Sequence, residues 1–157
     1  MMIFLVILFR WLHVVSACVV LGGAVVMRFV LPVGLRRVEG DAAEQAFLAS
    51  RRVFKMMVHT AILLLLVSGV FNTWRNWSTY GTAPLAQSLW GTHVLLAAIA
   101  ITIAIYVLMG KKPPARHRTL AAINVAVLLA VILVASSLKW WRDTKNSRAA
   151  QTTTAQP

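Results

Sequence analysis

The sequence predicts an all-α membrane protein, a four-transmembrane-helix up-down bundle, and three observations carry that expectation. Of 157 residues, 59% are apolar and only 13% charged. The mean hydropathy of +0.75 lies far outside the range of soluble domains. The charges fall so that four apolar stretches remain, each long enough for the roughly 20 residues that cross a hydrocarbon core. A net charge of +12 on a soluble chain would suggest a nucleic-acid partner. On a four-span chain it belongs to loops beside a lipid bilayer, and no nucleic acid is needed. The single Cys18 excludes an internal disulfide framework and any CxxC site.

The first span covers about residues 3–31. It is apolar except for Arg10 and Arg28, whose separation corresponds to about five turns and predicts that they share one face. Val15-Ser16-Ala17-Cys18 has the look of a lipoprotein cleavage box. However, Met1 to Phe9 carries no positive charge and the apolar run continues to Met27, which argues against a cleaved signal. Pro32 and Gly34 close this span. Asp41-Ala42-Ala43-Glu44 then reads as an N-cap with an acid three residues on, predicting a helix from Asp41 into the second span, 54–74.

A weakly charged link with Gly81 and Pro84 leads to the third span, 89–110. Lys111 to Arg118, with Pro113-Pro114 among four basic residues, leads to the fourth, 119–139. Residues 1–142 therefore make one membrane domain, and the polar tail 143–157 is expected to be disordered.

Arg28, Arg36, Arg37, Arg51, Arg52, Lys55, Lys111, Lys112, Arg116 and Arg118 lie on the side of the first and third links. The opposite side has Arg10, Arg75, Lys139, Arg142, Lys145 and Arg148. The excess of basic residues on the loop side predicts that both termini are outside. Trp11, Trp74, Trp77, Trp90, Trp140 and Trp141 all fall toward the predicted outer side, as an interfacial aromatic belt would.

All four acids, Glu39, Asp41, Glu44 and Asp143, lie in loops or the tail. The spans thus hold no carboxylate to relay protons or to bind a hard cation. The intramembrane ionisable groups left are His13, His59 and His93. His13 follows Trp11 by two residues and His93 follows Trp90 by three, which sets both about one turn inside the same interface. The first and third helices of an up-down bundle are diagonal, so two imidazoles there can converge on copper or clamp haem iron. A lone intramembrane histidine also serves simply as a hydrogen-bonder to a neighbouring carbonyl or hydroxyl.

His59 sits near the other end of its span. Cys18 is five residues past His13 and turned about 140° from it, so both are weaker ligand candidates. Met27, Met56, Met57 and Met109 are soft donors, although methionine in an apolar helix is more often filler. Arg10 lies one turn from His13. Asn124 is expected to hydrogen-bond between helices, while Gly22-Gly23 and the stripe Ala97, Ala100, Ala104 permit close packing.

Arg10-Trp11-Leu12-His13, then Gly22-Gly23 and Arg28, resemble the opening of the copper-resistance protein D (CopD) family and the related HemJ-type protoporphyrinogen oxidases. The likeness continues through Arg51-Arg52-Val53-Phe54-Lys55, Val67-Ser68-Gly69-Val70, Trp90 with His93, Lys111-Lys112 and Asn124, covering residues 8–138. The resemblance implies a polytopic bundle of the bacterial inner membrane associated with copper uptake or export, or with haem biosynthesis. On the HemJ-type side it implies haem binding at His13. Those enzymes are similar in carrying Trp-x-His-x-Lys on the third span, whereas Trp90-Gly91-Thr92-His93-Val94-Leu95 lacks the lysine and spaces the histidine differently. The expectation is therefore copper handling by His13 and His93, with Arg10, Trp90 and Asn124 in support. The alternatives are a haem-b oxidoreductase using the same pair and a non-catalytic subunit that packs against a second copy or a larger membrane partner.

Overall fold

Four long helices dominate the computed structural model, which describes residues 2–38, 40–80, 83–109 and 115–154. Helix α1, Met2–Val25, continues through a π-helical turn, Val26–Val30, the short α2, Leu31–Gly34, and a 3-10 turn, Leu35–Arg37. Helix α3 spans Asp41–Arg75, α4 is the single turn Trp77–Tyr80, α5 spans Pro84–Met109 and α6 spans Ala115–Thr154. No strand occurs among the described residues. The segments Met2–Arg37, Asp41–Arg75, Pro84–Met109 and Thr119–Lys145 are each long and apolar enough to cross a membrane. The shortest, α5, would extend about 39 Å at 1.5 Å per residue, more than a hydrocarbon core of about 30 Å.

The outer surface fits that environment. Ile3, Leu63, Val70 and Leu133 are all exposed, and the buried core is a short list of small and medium side chains. In water such a surface would associate; in lipid it is simply solvated. The chain is an integral, multi-pass membrane protein with an all-α four-helix fold.

The bundle is built from two antiparallel pairs that pack much more extensively within each pair than between them, α1 on α3 and α5 on α6. In the first pair Phe9 stacks on Phe71 with ring centroids 4.2 Å apart. Gly23 faces Phe54 so closely that any Cβ there would overlap the ring. This gives Gly23 of the expected close-packing pair a specific task, while Gly22 faces open space. In the second pair Ala86 packs with Leu138, and Tyr80, Leu89, Trp90 and Trp141 complete that cluster.

The seam between the pairs is closed at two levels. Near the basic loops, Val58, Ile62 and Leu108 form an apolar layer with Phe54, Ile101 and Ile105. There Arg51 also donates to the Val107 and Leu108 carbonyls at 3.0 and 3.3 Å, satisfying carbonyls that the end of α5 leaves without helical partners. At the other end, the Trp90 indole N–H donates to Thr73 Oγ1 at 3.2 Å, and Trp77 meets Trp90 edge-on at 5.7 Å.

Three local features differ from the sequence expectation. Helix α3 begins at Asp41 as expected, but Gly40 is its N-cap residue, with φ of 66° and no side-chain cap. Glycine takes that backbone conformation without a Cβ clash, and Asp41 and Glu44 sit in the first turn, where acids favour the helix dipole. Arg28 lies in the π turn, which advances fewer degrees per residue than an α-helix. Five regular turns therefore do not connect it to Arg10: Arg10 is exposed and Arg28 half-buried. The backbone of α6 runs on to Thr154 in place of the expected disorder after residue 142. Gly81, Lys111, Lys112, Pro113 and Pro114 of the links lie outside the described residues.

Candidate functional site

His13 on α1 and His93 on α5 meet across the bundle with ring centroids 6.5 Å apart and planes inclined at 42°. Each ring is half-buried, and each is tethered to the other helix of its own pair. His13 Nδ1 lies 3.0 Å from Ser68 Oγ on α3. His93 Nδ1 lies 3.3 Å from the Val131 carbonyl on α6.

Counting protons fixes the tautomers. A carbonyl oxygen only accepts, so His93 Nδ1 must carry the hydrogen it gives to Val131. The Ser68 hydroxyl has one proton and directs it to the Leu64 carbonyl, 2.5 Å away, with Leu65 O at 3.3 Å. Its oxygen therefore accepts from His13, whose Nδ1 is also protonated. Both neutral rings then carry their lone pair on Nε2, and neither Nε2 has a hydrogen-bond partner among the described residues. A hydrogen-bond acceptor on one ring nitrogen is the usual way a ligating imidazole is oriented and made more basic. Metal–imidazole bonds of about 2.0 Å place the centroids of two rings trans across one ion about 6 Å apart, close to the observed spacing.

The surroundings suit this pair. A Cβ on Gly69 would lie 3.6 Å from His13 Cε1, so this position bounds the ring without crowding it. Trp90 caps the end of the seam one turn away through its bond to Thr73, and the Tyr80, Ala86 and Leu138 cluster packs around it.

The other candidates do not join. The His59 ring is exposed and bonds within its own helix, Nδ1 to the Lys55 carbonyl at 2.6 Å. Cys18 is exposed, as are Met56, Met57 and Met109. Arg10 is exposed and makes no hydrogen bond or ion pair among the described residues. Asn124 is buried, and its carboxamide oxygen has no hydrogen-bond partner there. No group of three or more His, Cys, Asp and Glu side chains forms a metal cage among the described residues.

Ser68 is the residue that sequence reasoning missed as a participant. It is 1% exposed and lies six residues inward from Trp74, deeper by that count than His13 from Trp11 or His93 from Trp90. A serine in an apolar helix that bonds back to its own i−4 carbonyl is common, so nothing in its spacing marked it. No protein-family model, curated protein or solved structure matches this chain.

Proposed function

We propose that this membrane protein handles copper as the monovalent ion, held between Nε2 of His13 and Nε2 of His93. The observation that carries the reading is the pairing of two imidazoles from diagonal helices, 6.5 Å apart and each bonded through Nδ1 to the other helix of its own pair. Imidazole suits copper. The spans contain no carboxylate, and the cost of burying an ion rises with the square of its charge, which favours a monovalent ion over a divalent one. The resemblance to the copper-resistance D family points the same way.

In this reading Ser68 and Val131 orient the rings and Trp90 caps the end of the seam. The protein sits in the bacterial inner membrane with both termini outside and performs no catalysis. Four helices enclose too little space for a wide pore, so transport would use a second copy or a larger membrane partner. Protein purified in mild detergent and supplemented with copper(I) should hold one ion per chain by elemental analysis. A deletion strain should be copper-sensitive and rescued by the wild type but not by His13→Ala. Absence of bound copper after supplementation would overturn the reading.

One observation favours a second reading, haem b. The pair offers two protein donors and no third, and a porphyrin supplies the other four and cancels the iron charge. An ion needs only the gap between two nitrogens, whereas a porphyrin needs a slot between the helix pairs, so copper is placed first. A Soret band in the purified protein would reverse that order.

A further inference from the structure

The two antiparallel pairs keep a seven-residue register. Ala86 with Leu138 and His93 with Val131 are successive layers of α5 on α6. The next step inward sets Ala100 opposite Asn124. In the other pair the His13 and Ser68 layer is followed, seven residues on, by Val20 and Ala61. Val20, Ala61, Ala100 and Asn124 are all buried. Carried on at the same register, they fall at one level about 10 Å further into the bundle than the histidines, near the membrane midplane.

This layer contains three small or medium apolar side chains and one carboxamide, 5% exposed, whose oxygen has no hydrogen-bond partner among the described residues. An acceptor left open at this depth is costly in a medium that offers no hydrogen bonds of its own. Neither Ala61, Ala100 nor Val20 has a side-chain donor, and the backbone N–H groups of these helices are used internally. A second copy cannot reach a residue so deeply buried.

We propose that Asn124 forms a separate polar site at the midplane that binds a small neutral hydrogen-bond donor, water. The water donates one hydrogen to Asn124 Oδ1 and the other to a helical carbonyl, which keeps a second lone pair available. The interior is then hydrated one heptad below the histidine pair, whether or not that pair binds copper.

Water-edited solid-state NMR of full-length protein labelled at asparagine and leucine, in lipid bilayers, tests this directly. The chain has four asparagines, Asn72, Asn76, Asn124 and Asn146, and the side-chain signal lost in Asn124→Leu identifies the one in question. Asn124→Ser serves if the leucine variant does not fold. The Asn124 amide should receive polarisation from water within about threefold of the rate at the interfacial Asn76. A slower transfer, matching the backbone amides of Leu64 and Leu65 in the apolar part of α3, would overturn the proposal. The measurement is made on metal-free protein, so its failure is distinct from failure of the copper reading.

Discussion

His13 and His93 are the same residue type at the same depth, yet they are held by different means. His13 depends on a side chain, the hydroxyl of Ser68, which is itself oriented by Leu64 O. His93 depends on a main-chain carbonyl, Val131 O. One restraint is therefore open to removal by a single substitution and the other is carried by the helix backbone. A pair built this way has one adjustable imidazole and one fixed imidazole.

The largest expected effect tests the pair itself. His13→Ala and His93→Ala should each weaken copper(I) binding by more than about 100-fold, measured by competition with a chromogenic chelator. If only one of them does so, the two rings do not share an ion.

The next test separates the two restraints. Ser68→Ala should cost about 10- to 100-fold in affinity, because the His13 tautomer and ring orientation are no longer fixed, whereas Val131→Ala keeps its carbonyl and should change affinity by less than about threefold. Equal losses at the two positions would show that packing, not the acceptor, matters.

Stability provides a comparison of the two glycines in the α1 and α3 interface. Gly23→Ala places a Cβ on the Phe54 ring and should destabilise by about 1–3 kcal/mol, read as a lower midpoint of thermal unfolding in detergent. Gly69→Ala only reaches ordinary contact with His13 and should leave the midpoint nearly unchanged. The smallest effects belong to His59→Ala and Cys18→Ser, both exposed, which should leave copper stoichiometry at the wild-type value by elemental analysis.

Much of the architecture was legible because membrane burial constrains charge so strongly. Arg36, Lys55, Arg75 and Lys139 bracket apolar runs that could be nothing but helices, and Asp41 marked the start of α3 correctly. Depth counted from Trp11 and Trp90 also placed His13 and His93 in one layer. Other features depend on tertiary context. Ser68 acquires its role from which face α3 turns toward α1, and a single polar residue in an uninterrupted apolar helix does not reveal that face. The π turn at Arg28 and the Gly40 cap are backbone choices that no spacing rule records. Arg51 counted toward orientation, but its bonds to the end of α5 need the second and third spans to be neighbours.

The division of the bundle into two halves has a thermodynamic consequence. Each half supplies one imidazole, and the halves pack much less extensively on each other than the helices do within each half. On the copper reading, an ion bridging the rings would be a rivet, and its binding energy would also be cohesion energy for the assembly. A site filled at 100 times its dissociation constant adds about 2.7 kcal/mol to the folded state. On that reading the fold would be tighter in a copper-loaded cell than in a copper-starved one, so the protein's own lifetime in the membrane would report the copper supply.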